Sequence, residues 1–194
     1  IFREDGKMIP VTVVQAGPVY VTQLKNQATD GYTAVQVGWG EARENKLTFP
    51  KYGHLKKAGL TKNVKRLKEF RLDSTDGLSL GQEIGVDIFA EGEVVTVTGT
   101  SKGRGFAGGV KRYHFKGQHM THGYMTHRRP LSSGATGPQR VFKGVRKPGH
   151  MGDATVTQKG LKVVGVDTER NLLLIDGSVP GPNGAEVIIS KAAR

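Results

Sequence analysis

The sequence predicts a mainly β protein with a small α part: a closed or partly closed β-barrel from which a long basic loop departs and returns. Three observations carry that expectation. Short β-branched runs, separated by turns rich in Gly and Pro, occupy both ends of the chain. One stretch, Thr48–Arg71, instead spaces its apolar residues near helical intervals. Between the two groups of strands, Thr100–Gly152 holds eleven Lys and Arg residues and not one Asp or Glu.

Ile9–Val14 and Val19–Gln23 read as strands, with Ala16-Gly17-Pro18 as the turn between them. Thr33–Val37 alternates in strand fashion after the Asp30-Gly31 turn signal. In Thr48–Arg71, the residues Leu55, Ala58, Leu60, Val64, Leu67 and Phe70 sit among Lys56, Lys57, Lys62, Lys65, Arg66 and Lys68. That pattern predicts a short basic amphipathic helix around Val64–Phe70. Glu83–Thr98 reads as two strands around Glu91-Gly92. Thr155–Thr157, Lys162–Asp167 and Asn171–Asp176 follow as strands, the last two joined through Asp167–Arg170. Val179–Gly184 is a turn and Glu186–Ser190 a last strand. The expected domains are a β-barrel from 1–97 and 153–194, with a basic helical insertion near 48–71, and an extended loop over 98–152.

The chain has 29 basic and 17 acidic residues, net +12, and the rest of it without the basic segment carries 18 against 17. Nearly all the excess charge is therefore local. The cations are Lys102, Arg104, Lys111, Arg112, Lys116, Arg128, Arg129, Arg140, Lys143, Arg146 and Lys147. Such a segment repels itself and needs a polyanion to become compact, and nucleic acid is the obvious one. A loop of this length is usually functional or ordered by a partner. The absence of cysteine removes disulfides and thiolate zinc sites. No apolar run approaches the roughly 20 residues of a membrane span. No signal peptide is visible, and the chain opens on Ile1 rather than Met, so its true start is expected to be processed or to lie further upstream.

Lys102–Gly109 combines two cations with four glycines. It is not a P-loop, because no Gly-Lys-Ser/Thr ending precedes a helix. Flexible glycine backbone does suit close approach to phosphates. His114, His119, His122, His127 and His150 lie in the same segment. No metal site is expected of them, since no Cys, Asp or Glu stands near to complete one. Histidines in a basic arm stack on bases or donate to phosphates. Phe106, Tyr113, Phe115, Tyr124 and Phe142 interleave with the cations and suit stacking on unpaired bases, with Phe106 and Phe142 expected to pack back on the barrel. Ser132 and Ser133 have no acid partner nearby, so no catalytic residue is assigned and no enzyme is expected. The residues assigned to RNA are the eleven cations with Tyr113, His119, His122, His127 and His150. Lys56, Lys57, Lys62, Lys65 and Arg66 form a secondary set.

At this point several runs resemble one family. They are Thr98–Gly108 (TGTSKGRGFAG), Lys111-Arg112, Thr121–Gly123, His127-Arg128, Pro148–Gly152, Asn171–Leu174 and Val179–Gly181, with Ile9–Val13, Asp30–Tyr32, Val35-Gln36, Gly53-His54 and Lys57–Gly59 in the N-terminal half. Together they resemble the ribosomal large-subunit protein three family of the bacterial and organellar type. The resemblance covers nearly the whole chain. It implies a translation-protein-type β-barrel and an extension into large-subunit ribosomal RNA (rRNA), tipped roughly at Gln118–Gln139 near the peptidyl-transferase centre. It further implies early assembly, large-subunit proteins fourteen and nineteen as neighbours, and no cofactor beyond Mg2+ bound to rRNA. Leu131–Gly134 departs from the run that carries a modified Gln in some bacterial members, so that modification is not expected. Asp167–Ile175 and Leu80–Glu83 look closest to cyanobacterial and plastid members, which favours the chloroplast stroma over a bacterial cytoplasm.

Two other functions compete. A free-standing architectural nucleic-acid-binding protein would bind many duplexes without a ribosome. An RNA-acting enzyme would need acids that the basic segment lacks.

Overall fold

The computed structural model describes residues 1–2, 6–130 and 132–191. Leu131 and positions 192–194, which fall within the expected loop and barrel, lie outside them. The strands are β1 (Val11–Gln15), β2 (Val19–Lys25), β3 (Ala34–Glu41), β4 (Val64–Arg71), β5 (Glu83–Ile84), β6 (Val94–Thr100), β7 (Phe106–Ala107), β8 (Gly149–His150), β9 (Thr155–Asp167), β10 (Leu172–Asp176) and β11 (Val187–Lys191). The helices are α1 (Gln27–Asp30), α2 (Phe49–Lys57) and α3 (Gly109–Tyr113). The chain divides into two compact units, one of Ile1–Val95 and Gly160–Ser178 together with Lys191, the other of Thr96–Lys159 and Val179–Ser190.

The mainly β class holds, but the sheets are open rather than closed into a barrel. One sheet runs β1-β10-β9-β6-β11, a second β4-β3-β2-β5, and a third pairs β7 with β8. The edge strands of the four-stranded sheet resist extension. β5 offers two residues, and β4 (VKRLKEFR) carries five charges. Short and charged edges resist further pairing.

In the first unit β2 sends neighbouring residues to different cores. Tyr20 packs with Leu55, Val64, Leu47, Leu60 and Leu67, whereas Val21 packs with Val35, Val37, Leu24, Phe70 and Ile84. A register shift between Val21 and Gln23 leaves Thr22 as the extra residue. Its hydroxyl is buried and donates to the Gln36 carbonyl at 3.2 Å and Gln36 Oε1 at 2.9 Å, so the bulge costs no unpaired polar group.

The expected helix at Val64–Phe70 is a strand, paired antiparallel with β3 from Glu41↔Val64 to Ala34↔Arg71. Val64, Leu67 and Phe70 are the inward residues of β4, three apart, which mimics a helical interval. A regular pleat would bury every second residue. Leu67 and Phe70 are an odd number of residues apart and so lie on opposite faces, Leu67 in the Tyr20 core and Phe70 in the Val21 core, and β4 is buried in part on both sides. The helix of this region is α2, begun by Thr48 with Pro50 in its first turn and closed by His54, Lys56, Lys57 and then Gly59 at φ +75°. Leu55 is its one buried residue.

The remaining strands follow the sequence closely. Thr155–Thr157 and Lys162–Asp167 are parts of one strand, β9, which turns into β10 through Arg170 N–H donating to Asp167 Oδ1 at 3.0 Å. Of the two strands expected around Glu91-Gly92, β6 forms, while the earlier segment gives only β5 and a 3-10 turn at Val86–Ile88.

Candidate nucleic-acid interface

The basic segment is two limbs joined at their base by backbone hydrogen bonds. Ser101 N–H donates to the Ala154 carbonyl at 2.9 Å, Arg104 N–H to Met151 at 2.8 Å, and Met151 N–H to Gly105 at 2.9 Å. β7 and β8 continue the ladder with Phe106↔His150 and Ala107↔Gly149. Gly152 makes this root possible. It sits at φ +73°, and a Cβ there would lie 2.1 Å from the Lys102 carbonyl oxygen.

Beyond the root, the five-residue α3 ends on His114 at φ 59°. Arg112 leaves it and spans the limbs: Nη1 donates to the Lys147 carbonyl at 2.9 Å. The Arg112 guanidinium lies 5.0 Å from the Tyr113 ring centroid, and that of Arg146 lies 5.5 Å from the same ring. Gly149 leaves room for this strut, since a Cβ there would meet Nη1 at 2.6 Å. Tyr113 also lies 6.0 Å from Phe115, centroid to centroid. Among the described residues from Lys116 to Arg146 there is no helix or strand, only turns. Arg140 stacks on Phe142 at 4.7 Å, and Lys147 Nζ donates to Ser133 Oγ.

Nine of the eleven cations are exposed, and Arg112 and Lys147 are half-buried. None of the eleven takes part in an ion pair with a described residue. Phe106 and Phe142 do not pack inward, being 81% and 53% exposed. They instead present faces suited to stacking. His119 stands edge-on to Tyr124 at 6.1 Å, and His122 and His150 are exposed. Arg128 and Arg129 are exposed where the chain bends through His127–Arg129. Among the described residues no three His, Asp or Glu side chains gather in a metal-binding group.

The secondary set is divided by the fold. Lys56 and Lys57 project from the end of α2, and Lys65 and Arg66 are exposed on β4. Lys62 is engaged locally. Its ammonium donates to the Tyr20 hydroxyl at 2.9 Å and lies 5.4 Å from that ring. The hydrogen bond with Tyr20 raises its pKa. Sequence reasoning missed the root glycine Gly152 and the bridging role of Arg112. Nothing in a run of glycines and cations singles either out.

A mainly β chain with a basic, carboxylate-free segment defines the class: a β protein whose excess positive charge is gathered in one arm. A model of the family "Ribosomal protein L3" matches residues 71–178. The chain is 53% identical over 194 residues to the large ribosomal subunit protein uL3 of Heliobacterium modesticaldum, covering all of this chain and 92% of that one. It is 54% identical over 195 residues to the Synechococcus sp. (strain JA-3-3Ab) uL3, covering 100% and 91%. To that of Gloeobacter violaceus it is 56% identical over 193 residues, covering 99% and 90%. The chain belongs to the ribosomal protein L3 family, of the bacterial type, whose members are structural and not enzymes.

Proposed function

We propose that this structural protein of the large ribosomal subunit binds and organises rRNA through its Thr100–Gly152 arm. The supporting observation is the set of nine exposed cations, with no ion pair among the described residues, on a segment without a carboxylate. Their mechanism is neutralisation: cations replace condensed counterions as RNA helices are brought together. Lys102, Arg104 and Lys111 sit on or near the hydrogen-bonded root, so they meet phosphates with little further ordering cost. The distal cations Arg140 and Lys143 sit on turns that RNA would order. We assign the tip to the neighbourhood of the peptidyl-transferase centre, the action to early assembly, and proteins fourteen and nineteen to its surroundings, all on the family resemblance. Mg2+ enters only as an ion bound to that RNA. The same resemblance favours the chloroplast stroma, and sequencing the rRNA that co-purifies decides between it and a bacterial cytoplasm.

Co-sedimentation with large ribosomal subunits through high salt tests this function. The full chain is expected to stay with the subunit, because RNA wrapped around an arm holds it topologically as well as electrostatically. Release at moderate salt, together with equal binding to unrelated duplexes, would favour the free-standing architectural protein.

A further inference from the structure

Within the turn-only part of the arm, one stretch is closed on itself. Gln118 N–H donates to the His127 carbonyl at 2.8 Å, and His127 Nδ1 lies 2.9 Å from the His119 carbonyl oxygen. Gly117, at φ +76°, lets the two ends meet, since a Cβ there would stand 2.8 Å from the His127 carbonyl oxygen. At the far end His122 and Gly123 take φ 60° and 69°, a left-handed pair that reverses the chain. His127 thus contacts the opposite side of the loop twice, once through its backbone and once through its ring.

The ring contact fixes a tautomer. A carbonyl oxygen only accepts, so Nδ1 must carry the proton. In the neutral ring Nε2 then holds the lone pair. Arg128 and Arg129 follow the clasp immediately, so the direction in which they leave the loop depends on its closure.

We infer that His127 is a positioning residue: its Nδ1–H closes the Gly117–His127 loop before RNA is met, and it thereby aims Arg128 and Arg129. This rests on the arm's RNA-binding function and changes the part His127 plays in it. The ring serves the protein's own backbone rather than a base or phosphate.

Three substitutions in the full chain separate the roles. An Asn amide places its N–H close to where imidazole Nδ1 stands, whereas Gln places it near Nε2. His127→Asn is expected to bind purified large-subunit rRNA within about threefold of the parent. His127→Gln and His127→Ala are each expected to lose roughly tenfold, the size of one hydrogen bond, with the salt dependence unchanged. A second readout needs no RNA. Nitrogen-15 NMR of histidine-labelled free protein at about pH 8, where an ordinary imidazole is neutral, should show His127 as the Nδ1–H tautomer. Binding kept by Gln and lost by Asn would overturn the clasp, as would equal binding by all three or an Nε2–H tautomer. Should the parent itself ignore rRNA, the proposed function fails, and the tautomer alone decides the clasp.

Discussion

Arg112 shows how one cation of an arm differs from its neighbours. Its guanidinium is held by the Lys147 carbonyl and the Tyr113 ring, whereas Lys111 beside it is exposed. A Lys at position 112 keeps the charge but not the planar fork that bonds and stacks at once. Arg112→Lys is therefore expected to weaken rRNA binding about tenfold with an unchanged salt slope. Lys111→Gln should instead flatten the slope by about one phosphate's worth. Filter binding over a salt series distinguishes them, and parent-like behaviour of Arg112→Lys would show that the strut is dispensable. Gly152 is the complementary case. An added methyl meets backbone at 2.1 Å from a position of φ +73°, so the root must shift. Gly152→Ala is expected to block incorporation into subunits, while Gly108→Ala, with nothing within 4 Å of the new Cβ, incorporates normally. Equal incorporation would show that the root bends freely. The eleven cations were legible in the sequence because charge needs no fold to be counted. Which one is a strut, and which glycine is obligatory, depends on contacts between residues far apart in the chain, 35 residues in the case of Arg112 and Lys147, and no local pattern encodes those.

Elements were legible where one face alternates with solvent and misleading where a strand is buried in part on both faces. β1, β2, β3, β10 and β11 lie where β-branched runs place them, because a half-buried strand and its period of two are the same constraint. β4 resembles a helix in sequence because it contributes to two cores, Val64 and Leu67 to one and Phe70 to the other, so its apolar residues do not fall at every second position. α2 lies inside the expected helical insertion near 48–71 but earlier than Val64–Phe70, and its first turn accommodates Pro50. Its anchor is Leu55, 1% exposed among Tyr20 and Val64. Leu55→Ala is expected to cost about 2–5 kcal/mol, read as a lowered midpoint of denaturant unfolding. A change under about 0.5 kcal/mol would mean α2 adds nothing to that core. The arm divides in the same physical terms. Its root is tied by backbone bonds at Ser101, Arg104 and Met151, while Lys116–Arg146 has only turns. Trypsin added to free protein should cut after Arg140 and Lys143 well before Lys102 and Arg104, since cleavage follows local opening. Simultaneous cleavage at root and tip would show that the root is not formed without RNA.

At the scale of the whole molecule the question is which charges meet RNA. The chain's net +12 is nearly all in the arm, yet Lys56, Lys57, Lys65 and Arg66 form a second exposed set in the first unit. Net charge cannot rank them, because carboxylates elsewhere in the chain balance the second set on paper. Counterion release can. Each phosphate neutralised adds about 0.9 to the slope of log affinity against log salt on a B-form duplex, the value taken for duplex rRNA, and about 0.7 on single strands. If the nine exposed arm cations all engage, the slope is about −8, and affinity falls by about five decades from about 50 to about 200 mM salt. Replacing Lys56, Lys57, Lys65 and Arg66 with Gln should flatten that slope by about three to four if the second set lies on RNA, and leave it unchanged if it is a solvated face. Lys62 stays in the variant because its ammonium is bonded to Tyr20 and its loss would disturb the core. The parent's slope is the control for the arm itself: a nearly flat line would show that the charge excess is not the binding surface, whatever the quadruple variant does.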